Sequence, residues 1–404
     1  MFCFLIQASS VSWSGDKDDC MADVEGKPAV YWTVKRVYDN FAGAEVAVVA
    51  PEFDRGGALE ELKLDFPALQ VLYSHDDNPL SRMIEAVADM DEDSYFVRTN
   101  GLNLFFDVEA VKEMAALMNA GDVDCVKFPD DYPVHYTSEL YRVASIRTIA
   151  GEIDKIAATD SERASFYRVH PRFLFFRLDR YNAVYIEGNL PYSDEFMRRS
   201  REVGQMVLKI QRQHLITDKC ISAGDLLGYH YEIASKWISD GDRVLDIACG
   251  DGFGTEIIAE RDVTITGADI DKEAVEEARL RIRPKRDNMN FDVQDVLALT
   301  YADSTFDVVL SMETIEHIPG EERYLEEIRR VLRPGGRLVL STPQNSFGAV
   351  PFVGIHLKEY SLDELKSLVS KYFEIEHVIG FKAGRVYFED DPIGTNTLMV
   401  LRKS

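Results

Sequence analysis

A glycine-rich turn between an apolar run and a helical run most constrains how this chain folds. The stretch Val244-Leu-Asp-Ile-Ala-Cys-Gly-Asp-Gly-Phe-Gly254 carries three glycines at alternate positions, Gly250, Gly252 and Gly254. Glycine is required where the backbone takes a positive φ or approaches a ligand closely. After a strand and before a helix, such a turn holds a nucleotide-like ligand at the carboxyl edge of a parallel sheet. The turn therefore predicts a doubly wound α/β domain with a ligand at that edge.

An acidic residue follows the turn at a spacing that suits ribose recognition. The next predicted strand, Thr264–Ala268, leads directly into Asp269. In doubly wound folds, an acid about 20 residues beyond the turn binds ribose hydroxyls. The Gly-x-Gly-x-Gly pattern differs from the Gly-x-Gly-x-x-Gly of dinucleotide enzymes, and Asp251 would repel a pyrophosphate. A ligand with ribose and adenine but no phosphate, such as S-adenosylmethionine, fits these residues better.

Strand-like apolar runs alternate with helical periodicity along most of the chain, which favours an α/β architecture. In the first part, the predicted strands are Cys3–Ile6, Glu45–Val49, Leu69–Tyr73, Ser94–Val97 and Val123–Lys127, and the predicted helices are Ala29–Phe41, Asn78–Ala88 and Val108–Asn119. In the second part, the predicted strands are Arg243–Ile247, Thr264–Ala268, Phe306–Ser311 and Arg337–Ser341. A polar stretch separates the two series. We therefore expect two domains, residues 1–190 and 223–404, joined by a helical connector over residues 191–222.

The charge balance disfavours partners that carry dense negative charge. The 404 residues include Lys+Arg 45 against Asp+Glu 70, which gives a formal net charge of -25. Nucleic acids and anionic membranes both require clustered cations. No apolar run approaches the roughly 20 residues that cross a bilayer, and the apolar start Met1–Ile6 lacks the cationic residues of a signal peptide. We expect a soluble, cytoplasmic protein that neither binds nucleic acid nor inserts into a membrane.

Neither the cysteines nor the histidines indicate a metal site in the sequence. No pair of the five cysteines has Cys-x-x-Cys spacing, and no pair of the eight histidines has His-x-x-x-His spacing. We expect reduced thiols, as in most cytosolic proteins, and no bound metal.

Several motifs of the second part occur together in one order. They are Tyr231 in His-Tyr-Glu-Ile-Ala, the turn Asp246–Gly254, Asp269-Ile270, Gln294-Asp295-Val296, Phe306-Asp-Val-Val-Leu-Ser-Met-Glu313 and Arg330-Val-Leu-Arg-Pro-Gly-Gly-Arg337. With these motifs, residues 223–404 resemble a class I S-adenosylmethionine-dependent methyltransferase of the subgroup common in polysaccharide-modification clusters. The resemblance implies S-adenosylmethionine as cofactor. It also implies a cofactor site formed by Tyr231, Asp246, Ala248, Cys249, Gly250, Gly252, Gly254, Asp269, Ile270, Asp295, Val296, Ser311 and Met312.

The resemblance assigns a part of the cofactor to each motif. The turn lies against the methionine moiety and Tyr231 touches its amino-acid end, while the strand end at Ser311 and Met312 lies near the transferring methyl. Asp269 binds the ribose, Ile270 lies beside the adenine, and Asp295 accepts from the adenine amino group. Other roles stay open: Asp246 could accept backbone N–H bonds within the turn, Asp295 could cap a helix, and Cys249 could simply be a small residue that fits the turn.

The candidate catalytic residues follow the fourth predicted strand of the second domain. Methyl transfer from a sulfonium is an in-line displacement, and a general base helps when the nucleophile is a hydroxyl. Glu316 and His317 lie just after the strand, and His356 lies after the next one. A histidine titrates near neutrality and suits hydroxyl deprotonation, and a carboxylate could orient it. We expect O-methylation with His317 or His356 as base, although orienting or structural roles remain alternatives.

The first part carries a looser set of motifs. Gly26-Lys-Pro28, Asp77-Asn-Pro-Leu-Ser-Arg82, Val97-Arg98, Gly101, Asp107 and Asp160-Ser-Glu-Arg163 keep the order of one family. With them, residues 1–190 resemble the cytidylyltransferases that activate acidic sugars, which have a nucleotide-diphospho-sugar-transferase-like α/β fold.

Two departures from that family argue against nucleotidyl transfer. Where the family has a cationic nucleotide loop, this chain has Asp16, Asp18 and Asp19, which would repel a triphosphate. Leu102 replaces the metal-binding acid of the family. We therefore expect a catalytically inactive domain that serves for sugar or nucleotide-sugar binding, as a scaffold, or for dimerisation of the chain.

The two resemblances together predict an α/β protein with two domains that methylates a saccharide. The acceptor would be a saccharide, a glycan or a nucleotide-activated sugar in surface polysaccharide biosynthesis, an inference from analogy. One alternative is a bifunctional enzyme whose first domain also transfers CMP to a sugar. Another is a first domain that only binds or dimerises, and a protein acceptor is not excluded.

Overall fold

The computed structural model describes residues 2–10, 18–74, 78–132, 136–186, 226–281, 287–345, 356–382 and 386–404. The chain divides into two compact units, residues 1–213 and 214–404. The division falls within the predicted connector over residues 191–222, which lies outside the described residues, so the predicted domain bounds remain a prediction. Both units have the α/β architecture that the alternating periodicity predicts.

The first unit contains nine strands and seven helices among its described residues. The strands are β1 (Cys3–Gln7), β2 (Asp23–Val24), β3 (Lys27–Pro28), β4 (Glu45–Pro51), β5 (Gln70–Ser74), β6 (Tyr95–Asn100), β7 (Cys125–Lys127), β8 (Glu139–Arg142) and β9 (Ala183–Tyr185). The helices are α1 (Ala29–Asn40), α2 (Leu62–Asp65), α3 (Pro79–Ala86), α4 (Val108–Ala120), α5 (Val143–Ala157), α6 (Ser161–Val169) and α7 (Arg172–Phe175). The five predicted strands and three predicted helices are all present, with ends that shift by one to three residues.

Seven strands of the first unit form one sheet in the order β5-β4-β1-β6-β8-β7-β9. Strands β5, β4, β1 and β6 are parallel, and β8 runs antiparallel to β6. The chain moves to one side of β1 for β4 and β5 and to the other side for β6. The crevice at the carboxyl ends of β1 and β6 is therefore a switch point of the kind where α/β sheets bind ligands.

Local structure accounts for several motif residues that carry the resemblance of the first unit. Asn78, Asp107 and Asp160 are the N-caps of α3, α4 and α6, and each side chain accepts a bond from a backbone N–H of the first turn. Asp and Asn are preferred caps in proteins of any family. The cytidylyltransferase likeness of the first unit thus has no support from these three positions beyond their capping role.

The second unit contains eight strands and five helices among its described residues. The strands are β10 (Arg243–Ile247), β11 (Thr264–Asp269), β12 (Met289–Val293), β13 (Phe306–Met312), β14 (Leu332–Pro343), β15 (Glu374–Lys382), β16 (Val386–Tyr387) and β17 (Asn396–Arg402). The helices are α8 (Leu226–Ala234), α9 (Phe253–Ile258), α10 (Lys272–Arg281), α11 (Glu321–Val331) and α12 (Leu362–Val369). Strand β14 begins at Leu332 and not at the predicted Arg337, because Leu332 still pairs with Phe306 of β13. The register shifts beyond this pair, so that Val308 pairs with Arg337.

The eight strands form one sheet in the order β12-β11-β10-β13-β14-β17-β15-β16. The first five strands of this order are parallel, and β17 runs antiparallel between β14 and β15. Since β11 and β12 lie on one side of β10 and β13 on the other, the switch point lies between β10 and β13. The turn after β10 and the segment after β13 therefore end at the same edge of the sheet.

Both faces of this sheet are covered by apolar side chains. Along β10, Val244 packs into one buried cluster while Leu245 and Ile247 pack into the cluster on the other face. Strand β13 alternates in the same way. Continuous apolar strands of this kind are typical of parallel sheets covered by helices on both faces. No described helix has the length and apolar character needed to cross a membrane.

Candidate functional site

The predicted glycine turn connects β10 to α9 through residues with positive φ. Ala248, Gly250 and Gly252 have φ values of 54°, 55° and 83°. The amide of Cys249 donates to the carbonyl of Ala268 at 3.1 Å, which ties the turn to the end of β11. Gly250 and Gly252 are thus required by backbone conformation, as the sequence predicts. Cys249 is buried in the turn.

Gly254 is required for a different reason, the packing of Tyr231 against α9. A Cβ atom at position 254 would lie 1.9 Å from the Tyr231 ring, so no side chain fits there. The position of Tyr231, which the sequence assigns to the cofactor site, therefore depends on the third glycine. In this structure, the three alternate glycines serve two purposes, since two shape the turn and one makes room for an aromatic ring.

Asp246 joins the turn to the two helices beside it. Its carboxylate is fully buried and accepts hydrogen bonds from the Tyr231 hydroxyl at 3.0 Å and the Thr255 hydroxyl at 2.6 Å. The donors are thus two side-chain hydroxyls, not the backbone N–H groups that the sequence left open. Burial raises the pKa of Asp246 to about 7, although both hydroxyl bonds act in the opposite direction. Asp246 thus fixes the position of the Tyr231 ring beside the turn.

Asp269 lies where the spacing predicts, at the end of β11 beside the turn. Its Oδ2 accepts from the Gly250 amide at 2.8 Å and its Oδ1 accepts from the Asp271 amide at 2.9 Å. Each carboxylate oxygen can accept a further bond, which leaves capacity for a ribose hydroxyl. The next residue, Ile270, is 70% exposed. An exposed isoleucine here offers an apolar surface for a flat ring such as adenine.

The segment after β12 contains the remaining predicted adenine residues. Asp295 is exposed, and its Oδ1 accepts from the Leu297 amide at 2.8 Å, which caps a turn. Val296 is buried. The capping role that the sequence left open for Asp295 is therefore present, in a turn and not in a helix.

The end of β13 bears polar side chains that are held by neighbours. Ser311 is fully buried and hydrogen bonded to the Tyr324 hydroxyl, and Met312 is buried beside it. Glu313 follows with a positive φ of 47°, and its carboxylate accepts from Ser341 and Asn396, each at 2.8 Å. Burial, together with the charge of Glu359, raises the pKa of Glu313 to about 7. A partly buried carboxyl with a raised pKa is more frequent at functional sites than elsewhere.

The three predicted catalytic residues come together after β13 and form the Glu-His cluster, defined as Glu316, His317 and His356. One ligand-type atom from each lies within 4.8 Å of the others, and the two imidazole rings have centroids 4.8 Å apart. The carbonyl of Glu316 accepts from the Leu357 amide at 2.8 Å. This backbone bond brings the segment of His356 against the short turn that carries the other two residues.

Within the cluster, Glu316 is the buried member. It is 1% exposed, and its Oε2 accepts from the Thr342 hydroxyl at 2.9 Å. Burial, followed by the charge of Glu313, raises the pKa of Glu316 well above its usual value. Its Oε1 lies 4.0 Å from His317 Nε2, which is longer than a hydrogen bond. The predicted orientation of a histidine by Glu316 is therefore not what the geometry shows.

Glu359 is the carboxylate that contacts His356, and it is not among the residues predicted from the sequence. Its Oε1 lies 2.6 Å from His356 Nδ1, and its Oε2 accepts from Asn345 Nδ2 at 2.9 Å. The signal was the spacing His356-Leu-Lys-Glu359. Only the loop geometry shows that this spacing turns the two side chains toward each other.

Comparisons with known proteins find a methyltransferase domain in the second unit. Residues 238–388 match the family model described as "Methyltransferase domain". Methyltransferase GfsG from Streptomyces halstedii is 37% identical over 107 residues, which cover 26% of this chain and 38% of that protein. The ubiquinone biosynthesis O-methyltransferase from Coxiella burnetii is 32% identical over 109 residues, which cover 27% of this chain and 47% of the relative. The chain thus spans less than half the length of both relatives.

A solved structure of a SAM-dependent methyltransferase from Methanosarcina mazei covers 42% of this chain and 96% of its own, at 22% identity and a TM-score of 0.36. The family match covers the glycine turn, Asp269 and the segment after β13. The C-terminal region therefore contains a class I S-adenosylmethionine-dependent methyltransferase domain, whose cofactor is S-adenosylmethionine. The turn and Asp269 suit that cofactor, since the turn allows close backbone approach and Asp269 keeps acceptor capacity for a hydroxyl.

The raised pKa of Asp246 predicts a pH-dependent stability that Asp246→Asn removes. The folded protein keeps a proton on Asp246 up to about pH 7, whereas the unfolded chain releases it near its ordinary pKa of about 4. The free energy of unfolding therefore falls as pH rises through this window. Relative to wild type, the variant should gain about 2 kcal/mol between pH 5 and pH 7, because the slope of about 1.4 kcal/mol per unit halves near the folded pKa.

Urea unfolding at pH 5, 6, 7 and 8 measures this difference, with hydrogen exchange of the β10 and β13 amides to follow the second unit. Substitution of the exposed Asp240 by Asn serves as control and should run parallel to wild type. If Asp246→Asn also runs parallel to wild type, Asp246 is ionised in the folded protein throughout this range.

Proposed function

We propose that this chain transfers a methyl group from S-adenosylmethionine to a hydroxyl group of a saccharide. The observation that carries the proposal is the placement of the Glu-His cluster. Strands β10 and β13 are adjacent and parallel, with Ile247 paired to Ser311. The cofactor turn after β10 and the cluster after β13 thus lie at one edge of the sheet, which is the arrangement a methyl transfer requires.

The cluster suits a hydroxyl acceptor because it can take up a proton. With Nδ1 of His356 bonded to Glu359, the other ring nitrogen, Nε2, is left to accept a proton in the neutral imidazole. His317 lies beside it. As the acceptor oxygen attacks the methyl carbon, the carbon–sulfur bond breaks, S-adenosylhomocysteine leaves and the hydroxyl proton passes to His317 or His356. An O-methyltransferase among the relatives supports this choice of acceptor atom.

The saccharide part of the proposal rests on the sequence resemblances of both units to proteins of surface polysaccharide biosynthesis. Either a free or a nucleotide-activated sugar would supply the hydroxyl. This support is by analogy, since fold and family do not identify an acceptor.

A binding role for the first unit has support from unsatisfied polar atoms. Gln7 Oε1, Thr99 Oγ1 and Ser138 Oγ are buried without a hydrogen-bond partner among the described residues. Gln7 and Thr99 lie at the carboxyl ends of β1 and β6, at the switch point of the first sheet. Such atoms cost about 1–3 kcal/mol each when unpaired. A polar ligand such as a sugar would satisfy them, which supports ligand binding by the first unit.

Asp269→Ala tests the cofactor site. Loss of the carboxylate removes the proposed ribose acceptor and the bond to the Gly250 amide, so the Kd for S-adenosylmethionine should rise at least about tenfold, or 1.4 kcal/mol. Isothermal titration calorimetry measures it, and the exposed Asp240→Ala should bind like wild type. An unchanged Kd for Asp269→Ala would show that Asp269 does not bind the ribose.

Substitution of the two histidines tests the role of the cluster in proton transfer. His317→Ala or His356→Ala should lower turnover by about 10²–10⁴ if that residue is the base, with the Kd for S-adenosylmethionine unchanged. Formation of S-adenosylhomocysteine with a panel of sugars and nucleotide sugars provides the assay, read by mass spectrometry. The exposed His377→Ala is the matched control. Full turnover in both cluster variants would exclude a histidine base.

A bifunctional enzyme would transfer CMP from CTP to a sugar. We expect the full chain to lack this activity. Incubated with CTP, Mg²⁺ and an acidic sugar, the protein should release no pyrophosphate above a protein-free blank, because Leu102 stands where a metal-binding acid is needed. Pyrophosphate release that depends on the sugar would instead establish the cytidylyltransferase activity and would remove the argument for a binding module.

A further inference from the structure

We propose that Glu316, His317 and His356 bind a divalent first-row transition-metal ion. Binding of this ion can be measured without an assay of methyl transfer. Its role toward the acceptor rests on the proposed function. The sequence indicates no metal site, because these residues form none of the short spacings by which such sites are recognised.

The side chains of the cluster are of the types that bind transition-metal ions. The cluster offers one carboxylate oxygen and two imidazole nitrogens that all lie within 4.8 Å of one another. Two histidines and one carboxylate are a set that holds zinc or iron and leaves coordination positions open for water or substrate. Elsewhere in the described ranges, no group of three or more His, Cys, Asp or Glu side chains has this geometry.

The second, independent argument is the contact that holds His356. A histidine that binds a metal nearly always donates its other ring N–H to a carboxylate or carbonyl, which fixes the tautomer and the direction of the lone pair. Glu359 Oε1 lies 2.6 Å from His356 Nδ1, and Asn345 holds the other oxygen of Glu359 at 2.9 Å. This arrangement leaves His356 Nε2 as the ligand atom.

A hydrogen bond also fixes the carboxylate of Glu316. Thr342 donates to Glu316 Oε2 at 2.9 Å, which leaves Oε1 on the side of His317. The distance between Glu316 Oε1 and His317 Nε2 is 4.0 Å. Two ligands at about 2.1 Å from a tetrahedral ion lie about 3.4 Å apart, so side-chain rotations that bring the three ligand atoms, now within 4.8 Å of one another, closer together would close the site.

Burial and charge also suit a cation at this point. Glu316 is buried, and Glu313 and Glu359 interact with it electrostatically. Ionised carboxyls that lie close together in a poorly solvated region repel one another, and a cation beside them relieves that repulsion. The side chain of His317 is 34% exposed, so the open coordination positions have access to solvent and to an acceptor.

An ion in this place changes the chemistry assigned to the histidines. A metal-bound hydroxyl has a lowered pKa, so the acceptor oxygen would be ionised before it attacks. Its proton would pass to solvent, the oxygen–carbon bond would form as the carbon–sulfur bond breaks, and S-adenosylhomocysteine would leave. His317 and His356 would then be ligands, and Glu359 would be a positioning residue.

Metal titration of the untagged full chain tests the site directly. After dialysis against a chelator, the protein is titrated with Co²⁺ and followed by its visible absorption, and Zn²⁺ and Mn²⁺ are measured by calorimetry. We expect one ion per chain. Glu316→Gln and His356→Ala should weaken binding at least about a hundredfold, and Glu359→Gln about 10–100-fold. The exposed His377→Ala should bind as wild type does.

The same preparations separate this inference from the proposed function. Calorimetry with S-adenosylmethionine shows whether each variant is folded and whether the cofactor site works. A chain that binds the cofactor but no ion, or that loses no affinity in the cluster variants, overturns the metal site and leaves the methyltransferase proposal standing. A chain that binds the ion but not the cofactor supports the metal site and overturns the proposed function.

Discussion

The parallel pairing of β10 and β13 is the constraint on which the site depends. Since the chain leaves β10 toward one side of the sheet and reaches β13 on the other, the segments that follow them face a common crevice. The cofactor turn and the Glu-His cluster are far apart in sequence, yet this pairing gives them one location. Apolar side chains on both faces of the two strands hold that pairing in place, so the core fixes the geometry of the chemistry.

Around this edge, polar side chains are arranged in supporting pairs. Asp246 holds Tyr231, Thr342 holds Glu316, and Glu359 holds His356. In each pair, one side chain limits the movement of the other. Such support is what allows buried carboxyls and imidazoles to remain in a fixed geometry despite the cost of removing them from water.

The sequence predicts the α/β fold, the turn and Asp269 because each depends on local pattern or fixed spacing. Gly250 and Gly252 have the positive φ that their positions suggest. The purpose of Gly254 could not be predicted, because it depends on a ring from α8 that only tertiary packing brings near. Glu359 was missed for a similar reason. In the first unit, the motif residues Asn78, Asp107 and Asp160 proved to be helix caps, a role that many unrelated chains share.

The backbone bonds of Asn345 and Leu357 have a consequence for substitution near the Glu-His cluster. The amide of Asn345 donates to the carbonyl of Tyr360 at 2.9 Å, and the amide of Leu357 donates to the carbonyl of Glu316 at 2.8 Å. Both bonds use backbone atoms that every residue except proline possesses. The path of the backbone beside the Glu-His cluster is thus held independently of the side chain at Leu357.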